Sequence, residues 1–196
     1  EYGLKHGYIT HNQARMITMP VKPDSWGDKP DNFWDRDQLK TFFKCIDQQK
    51  EPEKYCLFRV LAFAGVRRGE CLALTWQDID FVHKTLRVNK TLTQGKRGKQ
   101  IIQAPKTKKG RRTVSLDNTT VEILQRWHKQ QREYYLFLGF NTLQPDQLVF
   151  ANTKNGFKSL NTPGKWLKRI ITDYHLTPSI TVHGFRHSHA SALFAA

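Results

Sequence analysis

Long apolar stretches are absent from this 196-residue sequence, so the sequence predicts no segment that crosses a membrane. The first eight residues also lack the apolar core of a secretory signal. Cysteine is scarce: Cys45, Cys56 and Cys71 are odd in number, lie in apolar helical contexts and lack the spacing of metal ligands. We therefore expect a cytoplasmic protein whose cysteines are reduced and packed in the core.

Acidic residues are also scarce, and none occurs between Asp80 and Asp117. The whole chain has 32 Lys and Arg against 17 Asp and Glu, a formal net charge of +15, which predicts a polyanionic partner such as nucleic acid. Within the acid-free span we expect a basic strand-turn-strand segment that follows a phosphate backbone. Its cations are Lys96, Arg97, Lys99, Lys106, Lys108, Lys109, Arg111 and Arg112. The alternative is a solvated hairpin whose charges protect a sheet edge.

The apolar pattern predicts an α+β fold, mainly α-helical, with a small antiparallel three-stranded sheet in the first half. Prolines at positions 20, 23 and 30 indicate a linker after a first helical segment, and Asp35 is a candidate N-cap for the next helix. The remaining expected helices are 52–64, 67–74, 118 to about 138, 166–174 and 185–196, and the expected strands are 79–81, 85–88, 101–103 and 112–116.

The first of three segments suited to phosphoryl chemistry is Gly65-Val66-Arg67-Arg68-Gly69-Glu70. A planar guanidinium offers paired donors to two phosphate oxygens. Glu70 lies three residues after Arg67, on the same helical face, and could orient it. Taken alone, the segment is equally compatible with an ordinary surface turn that contains an ion pair.

The second segment, Pro105-Lys106-Thr107-Lys108, places a lysine on a basic loop. Neighbouring cations lower the pKa of a lysine and make it a better proton donor, although Lys106 could also contact backbone phosphates alone. The third segment is His183-Gly184-Phe185-Arg186-His187-Ser188-His189. At a helix start His183 and Arg186 could face one anion. A metal site of His183, His187 and His189 is the alternative, which adjacent Arg186 disfavours.

Together the three segments resemble the motifs of the tyrosine recombinases, and more narrowly those of integrases from phages and integrative elements of bacteria. The third motif is the most specific, and the first is strengthened by the Leu-Thr-Trp-Gln-Asp-Ile-Asp that continues it over 74–80. The resemblance covers roughly residues 33–196. It implies a catalytic domain at 26–196, preceded at 1–25 by the end of a core-binding domain and a linker.

The resemblance also implies residue roles. Arg67 and Arg186 match the arginines that hold the scissile phosphate, and Glu70 matches the acid that supports the first of them. Lys106 matches the lysine that protonates the leaving 5′ oxygen, and His183 matches the histidine that helps to activate the nucleophile. The implied reaction is site-specific cleavage and rejoining of double-stranded DNA through a 3′-phosphotyrosine, without metal or other cofactor. A homo-tetramer would act on the nucleoid of a bacterial or phage-infected cell.

The chain departs from the family pattern after the third motif. The family continues with a further His or Trp and then the tyrosine, whereas none of the six tyrosines here follows residue 189. Tyr174 is expected to be a packing residue at the end of a helix. We therefore expect a catalytic domain truncated before its nucleophile and inactive in cleavage by itself.

Two other functions remain possible from the sequence. A recombinase-like module could bind DNA without catalysis, but binding alone requires cations and no histidine, so the joint presence of Arg67, Lys106, His183 and Arg186 favours the enzyme. A type IB topoisomerase would share this chemistry. The Gly-Phe-Arg-His-Ser-His-Ala-Ser stretch at 184–191 fits integrases better.

Overall fold

The computed structural model describes residues 2–8, 10–11, 31–105 and 110–194. The chain divides into two compact units, Glu1–Pro30 and Asp31–Ala196. The described part of the first unit contains one short helix, α1 (Tyr2–Lys5). The predicted linker falls mostly outside the described residues, and the predicted boundary between 1–25 and 26–196 stays a prediction.

Helices are the main regular structure of the second unit. The Asp35 carboxylate accepts hydrogen bonds from the backbone N–H groups of Asp37 and Gln38, and the Gln38 side chain accepts one from the Asp35 N–H, so the predicted N-cap is confirmed as a capping box. Proline at the first position of the next helix removes a donor that would have no partner there. The helices are α2 (Arg36–Lys44), α3 (Pro52–Phe63), α4 (Arg68–Leu72), α5 (Asn118–Phe137), α6 (Thr162–Asp173) and α7 (Gly184–Phe194).

The predicted three-stranded antiparallel sheet is confirmed. It consists of β1 (Ile79–Asp80), β2 (Thr85–Val88) and β5 (Arg112–Ser115), in the order β1-β2-β5. The register aligns Leu86 with Ile79 on one side and with Val114 on the other. Leu86 is fully buried, so this face of the sheet packs against the core.

A second, two-stranded sheet was not predicted. It pairs β3 (Thr91–Gln94) with β4 (Gln100–Gln103) in antiparallel register. The expected single basic hairpin is therefore wrong: β4 pairs with β3, and β5 pairs with β2. Of the predicted cations in the described residues, Arg97 and Lys99 lie between β3 and β4, Arg111 directly precedes β5, and Arg112 is the first residue of β5.

An aromatic cluster joins α2, α3 and α7. Phe185 at the start of α7 is fully buried, with its ring centroid 5.2 Å from that of Phe42 and 5.4 Å from that of Phe58. The backbone N–H of Trp34 donates to Ser188 Oγ at 2.7 Å. These contacts fix the position of α7, because a buried aromatic side chain has few alternative packings.

The prediction that the cysteines are reduced and packed in the core is confirmed for two of the three. Cys56 and Cys71 are buried as expected, whereas Cys45 is half-buried, and all three are free thiols. Burial raises the pKa of the Cys56 and Cys71 thiols, which keeps them protonated.

In the described part of the chain, no helix combines the length and apolar character that a membrane span requires.

Candidate active site

Arg67 lies at the junction of α3 and α4. Gly65 has a φ of +58°, which turns the chain sharply after α3, and Arg67 is the N-cap of α4. The Arg67 backbone N–H donates to Glu70 Oε2 at 2.7 Å, and its guanidinium donates to Glu70 Oε1 at 3.0 Å. The contact expected from their spacing is present, and it leaves the Arg67 side chain 56% exposed beside a carboxylate that is only 6% exposed.

Arg186 lies in the first turn of α7, and His183 directly precedes that helix. Phe185 lies between them in the sequence and is fully buried in the core, which fixes the start of the helix. The Arg186 guanidinium donates a hydrogen bond to the backbone carbonyl of Gly65. This bond brings the second arginine to the turn that precedes the first.

The charges of these side chains act on one another. Burial lowers the pKa of His183, and the charges of His187, Arg186 and Arg67 lower it further. Burial also lowers the pKa of Arg186, and Arg112 and Arg67 add to this effect, while Glu70 opposes it. A group of cations that repel one another in this way is stabilised by an anion.

A groove of about 830 Å³ opens beside these groups. Residues from α4, the two-stranded sheet, α6 and the segment before α7 line it, among them Arg67, Thr91, Gln103, Lys168, Thr181 and His183. Gly69 makes part of this arrangement possible, since a Cβ there would lie 2.5 Å from the Leu92 carbonyl oxygen. A phosphate group in the groove would have access to both Arg67 and His183.

Arg112 has a position that sequence analysis did not foresee. It was expected to contact the DNA backbone, but its guanidinium donates to Glu70 Oε1 at 3.1 Å and to Oε2 at 2.8 Å. Burial opposes the ionisation of Glu70, yet the hydrogen bonds from Arg112 and Arg67 lower the pKa of this carboxyl to about 2. The contact joins residues 42 positions apart, so no local pattern signals it.

The structure describes the side chains of only some of the other predicted cations. Arg97, Lys99 and Arg111 are exposed, as a contact with DNA requires. Lys106, Lys108 and Lys109 lie outside the described residues, and so does the side chain of Lys96. The roles of all these residues stay predictions.

Tyr174 differs from its expected role as a packing residue. It is the C-cap of α6 and is 55% exposed, because the helix ends at Asp173 and the apolar face does not continue through the cap.

The three histidines of the third segment differ in environment. The His183 and His187 rings lie 4.8 Å apart and nearly perpendicular, whereas the His189 ring bonds the Ala62 carbonyl. Across 31–105 and 110–194, no three His, Cys, Asp or Glu side chains are grouped as metal ligands would be.

Comparison with known proteins places this arrangement in a family. The phage integrase family model matches residues 32–196. The ICEBs1 integrase of Bacillus subtilis (strain 168) is 33% identical over 161 residues, which cover 82% of this chain and 42% of that protein. A protein described as tyrosine recombinase XerC-like, from Caldanaerobacter subterraneus subsp. tengcongensis, is 28% identical over 98% of this chain and 51% of its own length.

Solved structures show the same fold. The Tn1549 transposon integrase in complex with transposon right end DNA superposes with a TM-score of 0.69 at 20% identity, over 94% of this chain and 58% of that one. The XerA recombinase superposes with a TM-score of 0.62 at 19% identity, over 90% and 52%. The chain spans about half the length of the curated relatives it matches. On the family match and the shared fold, the chain belongs to the phage integrase family and has the fold of the tyrosine recombinase catalytic domain.

Proposed function

We propose that this chain is the catalytic part of a site-specific DNA recombinase that cleaves and rejoins strands through a 3′-phosphotyrosine. The observation that carries the proposal is the meeting of Arg67 and Arg186, which lie far apart in the sequence. The Arg186 guanidinium bonds the carbonyl of Gly65, two residues before Arg67, and His183 lies in the same region.

The two guanidiniums suit the transition state of this reaction. Negative charge grows on the phosphate oxygens as the nucleophile attacks, and fixed fork-shaped donors stabilise that charge without needing to reorganise. Glu70 orients Arg67, and the Gly65 carbonyl orients Arg186. We propose that this arginine pair replaces the charge that a metal ion supplies in other phosphoryl-transfer sites.

His183 and Lys106 are proposed to move protons. A lowered pKa keeps the His183 imidazole neutral near neutral pH, so it can accept a proton from the attacking hydroxyl. Lys106 would donate a proton to the leaving 5′ oxygen. This second role rests on the family resemblance.

The nucleophile is proposed to be a tyrosine supplied by the full-length protein after α7. None of the six tyrosines of the chain follows the His183–Arg186 motif, and the relatives are about twice as long as the matched region. Residues 1–196 alone would then lack cleavage activity.

Double-stranded DNA is the proposed partner. The net charge of +15 and the exposed cations Arg97, Lys99 and Arg111 suit a phosphate backbone, and the Tn1549 integrase of similar fold binds DNA in its solved structure. A homo-tetramer on DNA is proposed from the family resemblance alone.

The test is single-turnover cleavage by the full-length protein on a nicked duplex that traps the covalent intermediate. Arg67→Ala and Arg186→Ala should abolish trapping while DNA binding changes little, and Arg186→Lys should restore little because lysine lacks the fork. Arg126→Ala removes the same charge from an exposed position on α5 and should still cleave. A chelator should have no effect.

Two outcomes would contradict the proposal. Normal trapping by Arg186→Ala would show that the arginine pair does not hold the scissile phosphate. Tight binding of the attachment-site duplex by the wild-type protein, with no cleavage, would favour a binding module without catalysis.

A further inference from the structure

The carboxylate of Glu70 is shared by two arginines. Each of its oxygens accepts one bond from Arg112, at 3.1 and 2.8 Å, and the backbone and side chain of Arg67 supply one further bond each. Glu70 is almost fully buried. Four charge-assisted or backbone bonds on one buried carboxylate define its orientation closely.

Arg111 and Arg112 are adjacent but lie in opposite environments. Arg111 is exposed, whereas the Arg112 side chain is 25% exposed and both of its terminal nitrogens donate to Glu70. The pair of donors at the end of this guanidinium is taken up by Glu70 and is not available to a DNA phosphate. The two residues therefore have different environments despite their equal charge.

The sheet fixes the base of the Arg112 side chain. Arg112 is the first residue of β5 and pairs with Val88, a buried residue of β2, so its backbone belongs to the three-stranded sheet. Arg67 stands at a helix N-cap after a sharp turn and is much more exposed. The contact through Glu70 thus connects an exposed arginine to a rigid sheet.

We propose that Arg112 is a positioning residue: its fork orients the Glu70 carboxylate, and through Glu70 it holds the Arg67 guanidinium where the scissile phosphate binds. This inference rests on the proposed function, since it assigns Arg67 to the phosphate. It predicts that Arg112 influences the rate of cleavage without touching DNA.

The first experiment compares single-turnover cleavage by three variants of the full-length protein. Arg112→Ala should slow cleavage by about 100-fold, the loss expected when a catalytic group is misplaced by about 1 Å. Arg112→Lys keeps the charge and should recover part of the rate. Arg126→Ala, the control, removes an exposed arginine of α5 and should cleave at the wild-type rate.

A double variant separates action through Glu70 from a general loss of structure. Glu70→Gln should slow cleavage, and adding Arg112→Ala to it should cause little further decrease, because both changes remove the same interaction. Cleavage by Arg112→Ala should also begin to fall at a higher pH than cleavage by the wild type, since Glu70 loses the partner that keeps it ionised. A merely structural role would leave the pH profile unchanged.

Each of these measurements has an outcome that would overturn the proposal. Wild-type cleavage by Arg112→Ala, or rate decreases that multiply with those of Glu70→Gln, would overturn it. A wild-type protein that does not cleave would refute the proposed function, and a crystal structure of Arg112→Lys would then test the positioning role by itself. In that structure the Arg112 guanidinium no longer bonds Glu70. The proposal would be overturned if the Arg67 guanidinium kept its wild-type orientation, 3.0 Å from Glu70 Oε1.

Discussion

The Arg186 guanidinium donates a hydrogen bond to the carbonyl of Gly65, and the ring of His189 lies against the same glycine. A Cβ on Gly65 would lie 2.4 Å from His189 Cδ2. Gly65 thus serves two purposes, since its φ of +58° makes the turn before Arg67 and its missing side chain admits α7.

Gly65→Ala should therefore destabilise the domain strongly. The left-handed backbone costs an alanine about 1 to 2 kcal/mol, and displacement of His189 from the Ala62 carbonyl adds to that cost. Gly139→Ala is the matched control, because Gly139 has a φ of +83° and a Cβ added there would meet nothing within 4 Å. Denaturant titration measures the free energy of unfolding of both variants. Equal decreases in stability would mean that the approach of α7 to Gly65 does not matter.

Local patterns predicted those features whose partners are close in the sequence. The Asp35 cap, the helix beginning at Asn118 and the Arg67–Glu70 contact all lie within a few residues, and all are present. The strand at 91–94 was missed because it buries one residue, Leu92, and shows no apolar run. The Arg112–Glu70 pair depends on the register of β5 with β2, which charge counting cannot supply.

The exposed basic residues should contact the DNA backbone whatever the base sequence. Replacing Arg97, Lys99 and Arg111 by alanine should weaken binding to specific and random duplexes alike, and should reduce the salt slope by roughly one unit for each phosphate that is no longer bound. Lys108→Ala and Lys109→Ala are predicted to act in the same way. Lys40→Ala is the control, since that ammonium lies 2.8 Å from Asp37. An unchanged slope would rule out binding of phosphates by these side chains.

Acid should weaken the fold through His128. Its ring is half-buried, with its centroid 4.1 Å from that of Trp76. Burial and then the charge of Arg132 lower the pKa of His128 below its ordinary 6.5. The unfolded chain then binds more protons at this site, so stability is lost as pH falls through 6.5 and below.

The check is to compare the free energy of unfolding of the wild type and of His128→Phe between pH 7.5 and pH 5, a window of roughly one unit on either side of the ordinary histidine pKa. Phenylalanine keeps a ring beside Trp76 and cannot titrate, so its stability should fall less with acid. Parallel curves for the two proteins would show that His128 titrates normally. Cleavage by the full-length variant should match the wild type, because His128 lies on α5 and does not line the groove beside Arg67 and His183.

Residues 1–196 should bind duplex DNA at low salt without forming a covalent adduct. Binding needs the cations, which are present, whereas attack requires a hydroxyl held about 3 Å from phosphorus and in line with the leaving oxygen. Tyr174 is exposed but is not among the residues that line the groove beside Arg67 and His183. Incubation with a nicked duplex, followed by a denaturing gel, should show no shifted band, whereas the full-length protein should give one. A band from residues 1–196 that disappears with Tyr174→Phe would identify Tyr174 as the nucleophile and refute the proposal that a later tyrosine attacks.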